Sequence, residues 1–134
     1  MVAAGGMNLL HLMSVLRQQG IRVEKAVETD FSAVLIEAAK RQAKRCLPPD
    51  DVDRLKFHAA KNESLVNDLS ICLKTERSRL ERGFDFIFGV NTIRYCHDAG
   101  TELDCARDIL NLLTPGGVCV VIDMNNRFPL SEAV

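Results

Sequence analysis

The sequence predicts an α/β protein with a mostly parallel sheet and helices on both faces. Along the chain, apolar positions at helical spacing alternate with short apolar runs of strand length. Two of these runs, residues 84–90 and 118–122, are almost continuously apolar, as expected for strands that are buried on both faces. Such alternation implies parallel strands joined by crossover helices, and ligands in these sheets bind at the carboxyl ends of the strands.

The first half of the chain supplies helices and strands in turn. A helical pattern near the amino terminus stops at Gly20, and residues 21–28 then favour a strand. Thr29, Asp30 and Ser32 are all suited to cap a helix over residues 33–45, which a pair of prolines ends. Residues 52–60 predict the next strand.

The second half continues the alternation. Leucines at helical spacing predict one long helix over residues 65–80, followed by the strand at residues 84–90. Thr101 is a plausible cap for a further helix, whose apolar stripe would consist of Leu103, Ala106, Leu110 and Leu113. The run at residues 118–122 is the last predicted strand.

Length and charge limit the function classes. With 134 residues, the chain is the size of one domain, residues 1–134. Its 17 basic and 18 acidic residues nearly cancel, which disfavours nucleic acid as a partner, and the basic runs at residues 40–45 and 74–82 are interpreted as solvated helix ends. No apolar run approaches the roughly 20 residues of a membrane helix, so we expect no membrane partner.

The cysteines indicate a reducing compartment. There are five, an odd number, and none forms a Cys-x-x-Cys motif. Neither the cysteines nor the histidines have the spacing of metal ligands, so no metal site is predicted. The expected location is cytoplasmic.

One stretch resembles a known family. Residues 84–98 are FDFIFGVNTIRYCHD and residues 112–118 are LLTPGGV. They resemble the fourth and fifth strand region of class I, Rossmann-like S-adenosylmethionine-dependent methyltransferases of the small-molecule type, where a Phe-Asp-apolar strand, a helix and a Leu-Leu-x-Pro-Gly-Gly turn follow one another. Proline and glycine allow a helix to stop, reverse and enter a strand within a few residues.

The resemblance implies S-adenosyl-L-methionine as cofactor and places its ribose and adenine. Asp30 corresponds to the acidic residue that accepts hydrogen bonds from the ribose hydroxyls, with Glu28 as the alternative; capping the next helix is the competing role for Asp30. Phe31 would lie against the adenine ring or in the core. Asn62 could accept a hydrogen bond from the adenine amino group or cap the following helix.

The remaining cofactor residues flank two predicted strand ends. Gly5 and Gly6 resemble the tail of the family's glycine-rich first loop, where the backbone approaches the methionine part of the cofactor. The apolar strand that precedes these glycines in the family is expected to be absent from this chain. Gly89 and Asn91 belong to the loop after the fourth strand, which leaves the carboxyl end of a central strand.

The same loop supplies the candidate catalytic residues His97, Tyr95 and Arg94. Methyl transfer mainly requires alignment of the nucleophile, and a base is needed only when the acceptor loses a proton. The family often has histidines where this chain has Arg94 and Tyr95. His97 is therefore the candidate base, and a surface histidine is the alternative. Cys96 beside it lacks an orienting group and is not expected to be a nucleophile.

Two function hypotheses follow. The first is methyl transfer from S-adenosylmethionine to an unidentified small-molecule or peptide-bound acceptor; the second is a non-catalytic or truncated methyltransferase-like module that acts as a partner subunit or fragment. The family usually adds a helix and an antiparallel strand pair beyond residue 123, so this is an incomplete methyltransferase core, and its uncovered edges predict a homodimer. A nicotinamide-dependent oxidoreductase ranks last, because the Gly-x-Gly-x-x-Gly fingerprint is absent.

Overall fold

The computed structural model describes residues 2–4, 6–90, 96 and 100–122. Within these residues, five parallel strands form one sheet in the order β3-β2-β1-β4-β5. The strands are β1 (Val2–Ala4), β2 (Ala26–Asp30), β3 (Leu55–Ala59), β4 (Phe84–Val90) and β5 (Leu113–Ile122). The strand order reverses direction at β1, as in doubly wound sheets. The predicted fold class is therefore confirmed.

Helices cover both faces of this sheet. They are α1 (Gly6–Gln18), α2 (Ala33–Cys46), α3 (Pro49–Asp53), α4 (Leu65–Cys72), α5 (Arg77–Leu80) and α6 (Glu102–Leu112), with a 3-10 turn at Asn62–Ser64. The first face is covered by α1 to α3, and its buried cluster includes Leu9, Met13, Ala43 and Phe88. The second face is covered by α4 to α6, and its buried cluster includes Leu69, Ile87, Ile109 and Leu112.

The central strand β1 corrects the expectation that the strand before the glycines is absent. Val2 pairs with Val27 of β2 on one side and with Ile87 of β4 on the other. Three residues are enough here because the longer neighbouring strands supply hydrogen-bond partners for the backbone. A segment this short shows no periodicity, so the sequence pattern does not reveal it.

The helix α1 ends as predicted, and the next strand begins later than predicted. Gly20 has a φ of +74°, which suits glycine. The N–H of Ile21 donates back to a carbonyl in the last turn of α1 at 2.9 Å, so this residue belongs to the helix terminus. The strand predicted over residues 21–28 therefore begins later: β2 starts at Ala26, whose N–H donates to the Arg54 carbonyl at 3.0 Å.

Of the three residues predicted as caps of α2, Ser32 is the one observed, and the strand predicted after this helix is shorter. The Ser32 hydroxyl accepts a hydrogen bond from the Leu35 N–H at 3.3 Å. Instead of a direct run into a strand, Pro49 starts the short helix α3, because proline fits the first helical position. The strand β3 consequently begins at Leu55 and not at residue 52.

The single helix predicted over residues 65–80 is two helices. Lys74 has a left-handed φ of +50°, which ends α4, and the N–H of Thr75 donates back to the Ser70 carbonyl at 3.1 Å. After this reversal, α5 starts at Arg77. The leucine spacing persists across the break because both helices pack against the same face, so periodicity alone does not reveal it.

The predicted glycine turn is a bulge within β5. Between two consecutive register pairs, β4 advances from residue 84 to 86 while β5 advances from 113 to 118, so residues 114–117 protrude. Gly116 has a φ of +80°, and a Cβ on Gly117 would lie 2.9 Å from the Thr114 carbonyl oxygen. Both positions therefore require glycine.

The prediction that residues 118–122 are buried on both faces is wrong. Val118, Val120 and Ile122 are 53%, 40% and 59% exposed. These residues pair with β4 positions on the first face, and β5 is the terminal strand of the sheet that the described residues form. The helices of that face pack over the other end of the sheet, so only the second face of β5 is partly buried.

The helix α6 differs from its prediction in cap and stripe. Thr101 makes no side-chain cap; its hydroxyl donates to the Cys96 carbonyl at 3.3 Å. Only Ala106 of the predicted stripe lies in the buried set, which is Cys105, Ala106, Ile109 and Leu112. The spacing is helical in both cases, but packing against the sheet selects a face rotated by about one residue.

Candidate functional site

The predicted cofactor residues that the structure describes gather at one edge of the sheet. Thr29 of β2, Ala4 of β1 and Gly89 of β4 are neighbours in register, and all three strands run in the same direction. Asp30 follows at the end of β2, and Gly6 begins α1 directly after β1. We call this the carboxyl edge; it is where ligands bind in sheets of this order.

Asp30 supports the entry to α2 but is not its cap, which is Ser32, and its contact with a ribose stays a prediction. Its Oδ1 accepts a hydrogen bond from the Ser32 N–H at 2.8 Å, which shapes the entry to α2. Its Oδ2 makes no hydrogen bond with the described residues, and the side chain is only partly buried. A carboxylate with one oxygen fixed by the backbone and one left over is preoriented to accept a further hydrogen bond.

Glu28 is unsuited to the same task. It is fully buried on the first face of the sheet, and neither carboxylate oxygen has a hydrogen-bond partner among the described residues. Burial, with a smaller contribution from the charge of Asp30, raises the pKa of Glu28 to about 7. A ribose at the carboxyl edge would meet Asp30 and not this side chain, so the structure favours the first choice over the alternative.

Phe31 and Asn62 lie beside Asp30. Phe31 is 62% exposed, so the core role considered for it is wrong. An exposed ring is compatible with the other predicted role, contact with a planar ligand. Asn62 begins the 3-10 turn that follows β3, and β3 pairs with β2 as far as Asp30. The cap position of α4 is Ser64, not Asn62, and it makes no side-chain cap bond.

The glycine-rich turn and the loop after β4 are described only in part. Gly6 starts α1, which directs the positive end of that helix toward the carboxyl edge. Gly89 is buried in β4, next to Ala4 of β1. The predicted positions Gly5, Asn91, Arg94, Tyr95 and His97 lie outside the described residues.

Cys96 lies within the candidate catalytic loop, between Tyr95 and His97 in the sequence, and is 2% exposed. Its thiol is hydrogen bonded to Cys105, which is itself 1% exposed. This hydrogen bond lowers the pKa of Cys96, and the same bond together with burial raises the pKa of Cys105. Burial keeps the Cys96 thiol away from solvent, and the expectation that it is not a nucleophile stays a prediction.

Thr29, predicted as a possible cap of α2, is instead a buried polar group at the carboxyl edge. The Thr29 hydroxyl is buried and has no hydrogen-bond partner among the described residues. The sequence does place this polar residue directly after the predicted strand and one residue before Asp30. An unpartnered buried hydroxyl beside a candidate ligand edge marks a place where a further polar group can bind.

Three cavities lie away from the carboxyl edge. The first, of about 590 Å³, lies between the end of α1 and the start of β4; the second, of about 380 Å³, lies beside Asp51; the third, of about 360 Å³, lies between α2 and β3. None of the three is lined by Asp30, Phe31, Asn62 or Gly89. They are therefore not the predicted cofactor site.

The described residues contain no group of three or more acidic, histidine or cysteine side chains placed to hold a metal ion. Among the same residues, no helix has both the length and the apolar character needed to cross a membrane.

Comparison with known proteins identifies the fold. No family model and no curated protein sequence matches the chain. Among solved structures, the chain is similar to the [4+2]-cyclase SpnF (17% identity, TM-score 0.64) and to the CMeT domain of the citrinin polyketide synthase (19%, 0.63). It is also similar to a protein described as a sarcosine dimethylglycine methyltransferase from Galdieria sulphuraria (12%, 0.62).

These alignments cover almost all of the chain but less than half of each neighbour. The shares are 98% of this chain and 47% of the cyclase, 99% and 31% for the polyketide synthase domain, and 91% and 38% for the Galdieria protein. At such identities the likeness shows the fold alone. The chain therefore has the Rossmann-like α/β fold of the methyltransferases that its sequence resembles.

Proposed function

We propose that this chain binds S-adenosyl-L-methionine at the carboxyl edge and serves methyl transfer to a small-molecule or peptide-bound acceptor. The observation that supports this most is Asp30, a partly buried carboxylate at the end of β2 with one oxygen bound to the backbone and one free of partners among the described residues. The exposed Phe31 beside it offers an apolar surface to the base of a nucleoside.

In this proposal, different residues contact different parts of the cofactor. Asp30 would accept hydrogen bonds from the ribose hydroxyls, Phe31 would contact the adenine, and Asn62 would meet its amino group. Gly5, Gly6, Gly89 and Asn91 would line the methionine part, where close backbone approach requires small residues. When bound, the cofactor supplies an activated methyl group.

The chain's own contribution to the reaction would be alignment and exclusion of water. His97, Tyr95 and Arg94 stay the proposed residues that face the acceptor, with His97 as the base if the acceptor must lose a proton. Because the chain spans less than half of the structures that it matches, the activity of the whole protein is part of this proposal.

A second function is favoured by a separate observation. The exposed strip of β5, formed by Val118, Val120 and Ile122, is an apolar surface of the kind that partner subunits cover. The fold itself does not choose between the two functions, since one neighbour is described as a [4+2]-cyclase. A non-catalytic module would keep this fold without cofactor affinity.

Cofactor binding distinguishes these functions and can be measured by isothermal titration calorimetry. We expect S-adenosylmethionine to bind the chain and Asp30→Asn to weaken binding by about 10- to 100-fold, because a hydrogen bond to a charged group contributes about 1.5 to 3 kcal/mol. Asparagine retains an oxygen for the Ser32 N–H, so the turn into α2 should survive.

The matched control is Asp50→Asn, which removes an exposed carboxylate beside the second cavity, away from the carboxyl edge. Its affinity should equal that of the unmodified chain. No heat at about 1 mM cofactor, the limit of weak binding, would overturn the enzyme proposal for this chain. Equal losses of cofactor affinity in both variants would show that Asp30 does not belong to the cofactor site.

A further inference from the structure

A basic groove runs along one margin of the sheet, between α2 and the terminal strand β3. It has a volume of about 360 Å³. Four cationic side chains and one carboxylate line it, together with His58 and an apolar floor; the cations are Lys40, Arg41, Lys44 and Lys56. The groove thus combines a net positive charge with apolar surface from Val52, Leu55 and Phe57.

Stabilisation of the helix does not account for these cations. Lys44 lies in the last turn of α2, where a positive charge favours the negative end of the helix dipole. Lys40 and Arg41 lie in the middle of this helix, and the dipole effect falls off beyond the last turn. Lys56 lies on the strand. The interpretation of the whole basic run as a helix end therefore explains only part of it.

The carboxylate in the groove neutralises one of the four cations. Glu37 accepts a hydrogen bond from Lys40 Nζ at 2.7 Å, and both side chains are exposed. That bond, and then the surrounding positive charges, lower the pKa of Glu37. Burial, and then the charges of Lys40 and Lys56, lower the pKa of His58. Groups on the helix and on the strand thus experience the same positive potential.

The strand beside the groove also has unpaired backbone groups. Within the described residues, β3 pairs only with β2. The Ala26 N–H donates to the Arg54 carbonyl, and the Ala60 N–H donates to the Asp30 carbonyl. Because successive residues of a strand direct their backbone groups to opposite sides, the N–H and C=O groups of Leu55 and Phe57 point away from β2, along the open edge.

We propose that the basic groove and the open edge of β3 dock an extended acidic segment of a partner protein, which adds to the sheet as a further strand. The backbone of the segment would bond to Leu55 and Phe57, as in other cases of strand addition. Carboxylates at alternate positions would all lie on one side of the added strand, where α2 supplies its cations. Lysine on an edge strand opposes pairing with apolar strands, and the groove therefore selects an acidic one.

A peptide is favoured over a nucleic acid by the open backbone edge and by the lining of the groove. Single-stranded nucleic acids bind through stacking on exposed aromatic rings as well as through cations. Two aromatic rings line the groove: Phe57 is partly buried against the first-face cluster, and His58 is also partly buried. Neither ring is therefore a fully exposed stacking surface.

Fluorescence anisotropy with a labelled octapeptide of alternating glutamate and valine tests the proposal on the full chain. We expect saturable binding, and Arg41→Gln/Lys44→Gln should weaken it by about 10-fold, since two exposed charge pairs together contribute up to about 2 kcal/mol. The matched control is Arg45→Gln/Arg107→Gln, which removes two exposed charges outside the groove and should leave the affinity within about twofold.

A second probe tests the strand addition separately from charge. The same peptide, N-methylated at alternate residues, keeps its carboxylates but cannot donate backbone hydrogen bonds along one edge, and we expect it to bind at least about 10-fold more weakly. Undiminished binding of the methylated peptide would overturn strand addition. Tighter binding of a labelled ten-residue oligothymidylate than of the acidic peptide, or equal losses in the two double variants, would overturn the proposal as a whole.

Discussion

The two faces of the sheet differ in what they bury and in what they leave exposed. The second face is covered by α4 to α6 with an apolar cluster that extends over β5. The first face, under α1 to α3, encloses the fully buried carboxyl of Glu28 and leaves three apolar side chains of β5 exposed. The apolar burial that stabilises the fold is therefore distributed more evenly over the second face. The first face has the groups that can respond to pH or to a partner.

Removal of a core side chain from the second face should give the largest effect. Leu69 of α4 is 0% exposed, so Leu69→Ala should lower the free energy of unfolding by about 3 to 5 kcal/mol through lost burial and the cavity that remains. Urea denaturation at pH 5 and pH 8 should give the same loss, since no charge is involved. Ile71→Ala, on the same helix but 67% exposed, should change stability by less than about 0.5 kcal/mol. Similar values for the two variants would contradict the assigned packing.

On the first face, the effect of a substitution should depend on pH. Glu28 has a folded pKa raised from 4.5 to about 7, so the folded chain holds a proton that the unfolded chain releases above pH 4.5. The stabilising contribution is full below pH 4.5 and is lost as the pH rises to about 7, a change of up to about 3 kcal/mol.

Glu28→Gln stays neutral, so it should exceed the unmodified chain in stability at pH 8 by up to about 3 kcal/mol and match it near pH 4.5. Thermal unfolding across this pH range measures the difference. Glu24→Gln, an exposed glutamate just before β2, serves as the control and should follow the unmodified chain at every pH. A constant offset for Glu28→Gln would show that its charge is not the cause.

The smallest effect on stability should come from the exposed strip of β5. Val118→Thr/Val120→Thr keeps the branched shape and should change the free energy of unfolding by less than about 0.5 kcal/mol, because both side chains are exposed. If this strip joins two copies of the chain, light scattering should give a dimer mass for the unmodified chain and a monomer mass for the variant. Val34→Thr, exposed on α2, should stay dimeric. A monomer mass for the unmodified chain would refute the predicted homodimer.

Local chemistry made part of the fold predictable. Gly20 ends α1, Ser32 caps α2, and the glycines before Val118 reverse the backbone locally, as a bulge in β5, because each residue acts through its own backbone or its nearest neighbours. Asp30 was likewise identifiable as a carboxylate between a strand and a helix. The sequence did not show that one of the Asp30 oxygens lacks a partner among the described residues, or that Glu28 is buried, because alternation along a strand does not say which face lacks water.

The sequence by itself determined the class of fold, the strand at residues 84–90 and the composition of the candidate cofactor edge. Only the tertiary structure decided that Val2–Ala4 is the central strand, that β5 is an edge among the described strands, and that Lys56 lines the same groove as the cations of α2. The physical reason is that a short strand acquires its partners, and an apolar residue its burial, from segments distant in the chain. The apolar periodicity of a segment indicates how that segment can pack, whereas the position of its neighbours in the sheet decides what it packs against.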